Sequence, residues 1–392
     1  MKRLLTVLLS LAVLLSCHLF AEPGIFTDKV LIGTFQAMSG PAAIIGTSVA
    51  KGLNSYFNWV NNNGGVHGRK IELLVADDQL NPSKTVVEVK RLVEQDKVFS
   101  IVAGLGTPGI LAVMEYLETN KVPFVYQGGG HTSFAIPPKE YRFAVQPNYL
   151  TEGQIMAKYL IEDLGKKRIA IIYRTDDIGY DGLAGVEKWL KDNGQEKKLV
   201  GRFPVATDRF AFDNEILNMM QLNVDAVIMY IFVPQTPAFL KQVKDYGMDA
   251  LLLANYANPD PTTITLSEGA AEGLRATAWV MGDVNDENFQ KYIAIYQESF
   301  PGEIPNAYAA AGFIAAEIFT EGLARAGSEP TREKLVRALE SMGGWSGLIT
   351  PQLTYRQYNC NDYNCRIGVN RMYVMEVIEQ VWTILTDWIS LE

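Results

Sequence analysis

Two glycine-rich segments, each with a threonine, are the residues best suited to bind a ligand. Residues 104–108 follow an apolar run at residues 101–103, and residues 128–132 follow a second run at residues 123–126. Parallel strands end at one edge of a sheet, where ligands bind, and glycine lets backbone N–H groups approach them closely. We therefore predict half of a binding cleft, although each loop alone would also serve as a tight strand-to-helix turn.

Residues that could carry catalysis are sparse. The acidic pairs Asp77-Asp78 and Asp176-Asp177 follow apolar runs without a neighbouring base, so solvated strand-end loops are the favoured interpretation. The chain has 3 histidines. It lacks the G-x-S-x-G nucleophile elbow, the phosphate loop and a dinucleotide fingerprint after the first strand. We predict that the protein is not an enzyme and uses no cofactor or metal.

Length, composition and charge narrow the class of protein further. A chain of 392 residues is long for one compact core, which predicts two domains. Hydrophobic residues make up 48% and charged residues 20%, as in ordinary globular proteins. The formal net charge of -9 argues against nucleic acid and anionic membranes as partners.

The first 21 residues have the pattern of a signal peptide. A basic start precedes an apolar core at residues 4–15, which is too short to anchor the chain across a bilayer. Cleavage after Ala21 would release a soluble exported protein, and this is the interpretation we favour. The alternative is a lipobox at residues 14–17, which would place a lipid on Cys17. Both predict a periplasmic protein.

The two remaining cysteines, Cys360 and Cys365, lie close together in the sequence. In an exported chain such a pair predicts a disulfide. The alternative is a metal pair, but no second pair of cysteines or histidines lies nearby, and His67 and His131 are far apart. The disulfide is the favoured prediction.

The elements that would position the glycine loops alternate regularly. Apolar runs predict strands at residues 30–35, 71–76, 101–103 and 123–126, with amphipathic helices after the first three. The same alternation starts again at about residue 151 and continues to about residue 254. The fold class is therefore predicted to be α/β, with two doubly wound parallel-sheet lobes. Strands near the end of the chain are expected to return to one of the sheets.

Short motifs along nearly the whole mature chain carry a family resemblance. They are, in order, Met38-Ser39-Gly40-Pro41, residues 62–69, Asp77-Asp78, residues 105–108, residues 122–123, residues 146–147, residues 171–173 and residues 177–179. Together they resemble the type I periplasmic solute-binding proteins that serve ABC importers, in the branched-chain amino acid (leucine/isoleucine/valine) class.

The resemblance implies a hinge of several crossings between the lobes, near Pro147, Trp279 and Thr350. It predicts an N-terminal lobe of residues 25–146 plus 280–349. The C-terminal lobe would comprise residues 147–279 plus 350–392. Closure of such lobes around a ligand would then be the binding motion.

The resemblance also implies ligand contacts. In the first lobe, hydroxyl and backbone N–H groups of two loops would hold a carboxylate, with Thr107 in one loop and Gly130, His131 and Thr132 in the other. The positions that would line the rest of the cleft are Ile45, Ile178, Phe232 and Asn255. Apart from the resemblance, Tyr256 is a further candidate for the lining, and the alternative is that it packs between helices. Asn255 falls near the acidic residue by which amino-acid binders pair the ligand's ammonium.

The presence of Asn255 in place of that acidic residue limits the class of ligand. A buried ammonium needs a countercharge, and Asn255 supplies only a dipole. Asp260 is close in sequence, but its place between Pro259 and Pro261 predicts a solvated turn. Among amino-acid-like solutes we therefore expect a small carboxylate, aromatic ones included, or an amide rather than a zwitterionic amino acid.

The resemblance implies a monomeric substrate-binding protein that delivers a small-molecule solute to an ABC permease in the inner membrane. The alternative is a ligand-sensing receptor with the same fold that reports to a signalling partner. The sequence leaves both open, because the surface that would meet either partner carries no recognisable motif.

Overall fold

The computed structural model of the protein describes residues 22–280 and 286–391. The signal peptide predicted at residues 1–21, with Cys17, lies outside the described residues. Two sheets with helices packed on them form two lobes, as the fold-class prediction required. Across residues 22–280 and 286–391, no helix combines the length and apolar character needed to cross a membrane.

The first lobe is built on a parallel five-stranded sheet. Its elements are β1 (Lys29–Gln36), α1 (Ala43–Asn62), β2 (Lys70–Asp77), α2 (Pro82–Lys90), β3 (Ile101–Leu105), α3 (Thr107–Thr119), β4 (Phe124–Gly128) and β5 (Arg142–Phe143). The strand order is β2-β1-β3-β4-β5, so the ends of β3 and β4 are neighbours. Helix α2 begins as its sequence predicts, with Asn81 accepting N–H bonds at its start and Pro82 in the first turn.

The second lobe repeats this alternation. Its elements are α4 (Tyr149–Lys158), β6 (Ile169–Arg174), α5 (Asp177–Asp192), β7 (Leu199–Val205), α6 (Asp213–Gln221), β8 (Ala226–Tyr230), α7 (Gln235–Tyr246), β9 (Leu251–Ala254), α8 (Pro261–Ser267) and β10 (Arg275–Ala278). The strands β6 to β10 pair in parallel. The central strands β6 and β8 are buried on both faces, which explains their continuous apolar runs.

The rest of the chain contributes helices and strands to both lobes. It forms α9 (Glu287–Ser299), α10 (Ala307–Ala326), α11 (Arg332–Glu340), β11 (Gly343–Trp345), β12 (Leu353–Thr354), β13 (Tyr373–Ile378) and β14 (Val381–Ile384). The last two strands join the second sheet in antiparallel fashion, in the order β14-β13-β10-β9-β8-β6-β7. The strands β11 and β12 pair with each other.

Helices α1 and α10 of the first lobe pack unusually closely. A Cβ atom on Gly52 would lie 1.9 Å from the carbonyl oxygen of Ala309, and one on Gly312 would lie 2.2 Å from that of Val49. Both positions therefore require glycine, because their backbones meet without intervening side chains. This contact places the start of α10 beside α1 in the first lobe.

The residue boundaries of the lobes remain a proposal. Residues 366–369 hydrogen-bond to residues 144–145 beside the first sheet, and β13 begins at Tyr373 in the second. We therefore propose boundaries at the two predicted crossings near Pro147 and Trp279. The pairing leads us to place the third crossing between Val369 and Tyr373 rather than near Thr350.

The predicted disulfide between Cys360 and Cys365 was wrong, because both cysteines are free. Cys365 is fully buried, and its Sγ atom lies 3.6 Å from the carbonyl oxygen of Asn359. Cys360 is exposed. The loop therefore turns one thiol inward and leaves the other in solvent, which closeness in sequence alone does not reveal.

Candidate functional site

A cavity of about 220 Å³ lies between the two lobes, at the carboxyl ends of strands β3 and β4. The first lobe contributes α1, the two glycine loops and the first turns of α10. The second lobe contributes loops that follow its strands and the start of α5. Most of the lining is apolar or aromatic, so the cavity suits a small solute with an apolar body.

Polar groups of the first-lobe wall come from the loops. Thr107 is the first residue of α3 and is nearly buried, and its hydroxyl has no hydrogen-bond partner within the described residues. The first N–H groups of a helix lack partners inside the helix, and they favour negative charge. Gly129 in the second loop also lines the cavity, close to the Thr107 hydroxyl. This wall therefore presents hydrogen-bond donors suited to an anion.

Two residues at the base of this wall have left-handed backbones. Ala103 (φ 57°) and Tyr126 (φ 63°) lie in the neighbouring strands β3 and β4, between the paired positions 102–125 and 104–127. Side chains of β1 hold the kink, because Thr34 and Gln36 both donate to the Ala103 carbonyl. A positive φ costs a non-glycine residue roughly 1–2 kcal/mol, and such outliers cluster at functional sites.

A chain of hydrogen bonds crosses the cavity floor from one lobe to the other. The Tyr126 hydroxyl donates to Gln146 Oε1 at 2.7 Å, and Gln146 Nε2 donates to the Tyr256 hydroxyl at 2.5 Å. The Tyr126 ring also packs against Trp279, with centroids 6.3 Å apart. Gln146 and Trp279 lie next to the first two proposed crossings, and with those boundaries the cavity floor belongs to the hinge.

The second-lobe wall is aromatic and is held by a buried carboxyl group. The rings of Tyr149 and Tyr256 stack at 5.7 Å with an angle of 16° between them. Behind them, Glu152 Oε1 accepts the Tyr256 N–H at 2.7 Å and the Thr277 hydroxyl at 2.5 Å. Complete burial raises the pKa of Glu152 to about 7. Glu152 thus fixes the backbone that presents Tyr256 to the cavity.

Asp260 adds an acceptor to this wall. Its Oδ1 atom caps α8 by accepting the Thr262 N–H at 2.8 Å. Its Oδ2 atom is buried and has no hydrogen-bond partner in the part of the chain that the structure describes. The residue is 7% exposed and lines the cavity, so the predicted solvated turn was wrong. The sequence Asp-Pro-Thr is a helix start here, with the aspartate as cap and the proline in the first turn.

The structure brings together five of the nine residues predicted to contact the ligand. The residues that line the cavity are Ile45, Thr107, Ile178, Phe232 and Tyr256. Gly130, His131 and Thr132 lie outside it, with His131 Nδ1 2.7 Å from the Ser133 hydroxyl. Asn255 is buried and accepts the Ala257 N–H at 3.0 Å. Direct ligand contact by any of the nine remains a prediction.

Sequence reasoning missed several residues of the cavity. These are Tyr126, Gln146, Tyr149, Trp279 and Asp260. Gln146 was predictable from the sequence, since it lies in a family-like motif beside the predicted first crossing. Tyr126 was not, because its orientation depends on a left-handed backbone in a segment whose apolar run predicts an ordinary strand. Within residues 22–280 and 286–391, no three His, Cys, Asp or Glu side chains converge to hold a metal ion.

Comparison with known protein families decides the class of the protein. The family model described as periplasmic binding protein matches residues 29–380. The chain belongs to this family. Its relatives are solute-binding proteins rather than enzymes, which confirms the prediction of no enzymatic activity. Membership implies a small-molecule ligand, a permease partner of the ABC transporter type and a periplasmic or extracellular location.

Curated relatives are distant but match over most of their length. A protein named Leu/Ile/Val-binding protein homolog 3, from Brucella melitensis, is 24% identical over 79% of this chain and 83% of its own. The leucine-specific-binding protein of Salmonella typhimurium is 23% identical over 66% of this chain and 69% of its own. The predicted resemblance to leucine/isoleucine/valine-binding proteins is confirmed.

Solved structures confirm the two-lobed fold. A fatty acid ABC transporter substrate-binding protein from Thermomonospora curvata superposes with a TM-score of 0.81, at 19% identity and 95% coverage of both chains. A solute-binding protein of an ABC transporter from R. palustris, in complex with benzoate, gives 0.77 at 16% identity and covers 93% of this chain and 98% of that one. At these identities the likeness establishes the fold alone.

Proposed function

We propose that this binding protein captures a small carboxylate-bearing solute by lobe closure and delivers it to an ABC permease in the inner membrane. The observation that carries the proposal is the division of polar groups in one apolar cavity. Donors stand on the first-lobe wall at the Thr107 hydroxyl and the start of α3, and an unpartnered acceptor stands on the second at Asp260. A ligand that pairs with both bridges the lobes and shifts the equilibrium to the closed form.

Asp260 changes which amino-acid-like solutes fit. A buried acceptor without a partner is costly, so a ligand that donates a hydrogen bond to it is favoured. An amino, amide or hydroxyl group of the ligand meets that need. An amino group gains the most binding free energy if the Asp260 carboxyl group is ionised. The proposed ligand is therefore a small apolar or aromatic carboxylate that also carries a hydrogen-bond donor. Amino acids, which the sequence analysis disfavoured, are therefore among the candidate ligands.

The first test is a thermal-shift screen of purified protein against amino acids, aromatic acids, short carboxylates and amides. We expect the strongest stabilisation from compounds that carry both a carboxylate and a donor, for example phenylalanine over 3-phenylpropionate or leucine over 4-methylpentanoate. Stabilisation confined to uncharged or purely cationic compounds would contradict the proposed ligand class.

The Asp260→Asn variant tests the acceptor. Asparagine also caps helices, so α8 should keep its start, while the side chain becomes neutral. We expect the preference for amine-bearing ligands over their deaminated analogues to fall about tenfold, as measured by calorimetry. Asp208→Asn, at an exposed loop position, is the matched control and should keep the parent's preference. An unchanged preference in Asp260→Asn would exclude contact between Asp260 and the ligand's donor.

The proposed setting is the periplasm, with the protein as a soluble monomer released by cleavage after residue 21. Lipid attachment at Cys17 is the alternative processing. The intact mass of the mature protein from membrane and soluble fractions separates the two, because a lipidated chain begins at Cys17 and carries acyl groups. Size-exclusion chromatography with light scattering tests the monomer.

A further inference from the structure

The second glycine loop, residues 128–132, makes three close contacts with the second lobe. The Gly130 carbonyl accepts the Tyr149 N–H at 2.7 Å. The Thr132 N–H donates to Asp181 Oδ2 at 2.7 Å. A Cβ atom on Gly130 would lie 2.2 Å from the Tyr256 hydroxyl. The Thr132 N–H and the Gly130 carbonyl are thus occupied by the second lobe, while the Thr132 hydroxyl is buried without a hydrogen-bond partner among the described residues.

Helix α5 carries two of the residues that face the first lobe. Ile178 lines the cavity, and Asp181, three residues later, contacts the Thr132 N–H. Residues three apart on a helix share one face, so the same face of α5 supplies a cavity wall and a contact to the loop. The movement that brings Ile178 onto a ligand therefore also brings Asp181 onto Thr132.

We propose that the second glycine loop is the docking site of the second lobe, and that Asp181 is a positioning residue which stabilises the closed form without touching the ligand. The inference rests on the proposed function, because closure is the binding motion. Three observations carry it: a charge-assisted hydrogen bond to a backbone N–H, the absence of Gly130, His131 and Thr132 from the cavity lining, and the lack of space at Gly130.

A docking role and a ligand-contact role predict different behaviour. A residue that stabilises the closed form raises the affinity for every ligand by the same factor. A residue that touches the ligand changes the ratio of affinities between ligands. Docking also acts in the ligand-free protein, where a ligand contact has nothing to act on.

The decisive measurement uses ligand-free protein. Hydrogen–deuterium exchange of residues 129–134 and the radius of gyration from small-angle scattering are compared for parent, Asp181→Ala and Asp181→Asn. We expect about fivefold faster exchange and a larger radius in Asp181→Ala, with Asp181→Asn between it and the parent. Asp177→Ala, at an exposed position on the first turn of α5, should match the parent. Parent-like exchange and radius in Asp181→Ala would overturn the proposal.

Ligand binding supplies a second, independent test with phenylalanine and benzoate as probes. For each probe that binds, Asp181→Ala should lower the affinity about fivefold through faster dissociation, with the ratio between probes unchanged. A change in that ratio would overturn the docking role. If neither probe nor any carboxylate binds, the proposed ligand class fails, while the exchange and scattering data still decide the role of Asp181.

Discussion

The two walls of the cavity present polar groups by different means. The first-lobe wall uses backbone conformation, with a helix start at Thr107, glycine loops and two left-handed residues at its base. The second-lobe wall uses side chains, namely stacked tyrosines backed by Glu152 and the free acceptor of Asp260. The first wall should therefore be sensitive to added atoms and changed torsions, and the second to charge and pH.

The largest effect is expected at Glu152. Its pKa is about 7 in the folded protein and 4.5 for an ordinary glutamate, so the folded state holds its proton over a range where the unfolded state has lost it. This stabilisation is complete below pH 4.5 and is lost as the pH rises through 7. The free energy of unfolding should fall by about 3 kcal/mol across that window.

The Glu152→Gln variant removes this titration. The difference in the free energy of unfolding between variant and parent should shift by about 3 kcal/mol in the variant's favour from pH 4.5 to pH 8, measured by urea unfolding. Glu162→Gln, at an exposed position one turn past the end of α4, is the control. A difference that stays constant with pH would show that burial does not govern Glu152.

The next effect is expected on the first-lobe side, at Gly130. A methyl group there would overlap the Tyr256 hydroxyl and approach Tyr149 Cε1 to 2.8 Å. Overpacking typically costs 1–3 kcal/mol, and opening the cleft relieves it. Gly130→Ala should therefore lower ligand affinity about tenfold and enlarge the ligand-free radius of gyration. Gly343→Ala, where a Cβ atom meets nothing within 4 Å, should do neither. Full affinity in Gly130→Ala would refute the close approach of the lobes.

The smallest effect should come from the strained backbone. Replacing Ala103 by glycine removes the penalty of φ 57° but adds chain entropy to the unfolded state. The net change should be a gain of about 0.5 kcal/mol in the free energy of unfolding, measured by urea unfolding. Ala170→Gly, in the buried strand β6 and without a positive φ, should instead lose stability. Equal losses in both variants would show that the kink stores no strain.

Most of the fold could be predicted from the sequence, because apolar periodicity and helix caps are local signals. The order of strands and helices through β9 follows from them, apart from the two-residue strand β5. The cavity was predictable where a family-like motif carried it, as at Thr107 and Ile178. It was not predictable where contacts depend on packing between lobes. Asp181 and Thr132 are 49 residues apart, and nothing near either residue points to the other.

The two wrong predictions, the disulfide and the solvated turn at Asp260, also failed because they depend on distant parts of the chain. Cys360 and Cys365 are neighbours in sequence, yet their loop sends the thiols into different environments. Asp260 between two prolines fits a solvated turn as well as a helix cap, and its burial is decided by the surrounding lobe. In each case the residue types were informative, but the direction in which a side chain points was set by distant parts of the chain.

The glycine contact between α1 and α10 has a consequence for how ligand range could evolve or be engineered. Both helices line the cavity, through Ile45 on α1 and Tyr308 on α10, and their main chains already touch at Gly52 and Gly312. The cavity wall formed by α1 and α10 cannot be narrowed by closer packing of the two helices. It also cannot be widened by smaller side chains at the helix contact, because no side chains lie between the helices there. Substitutions that allow larger ligands to bind should therefore occur at Phe232 or Ile178, on the opposite wall of the cavity.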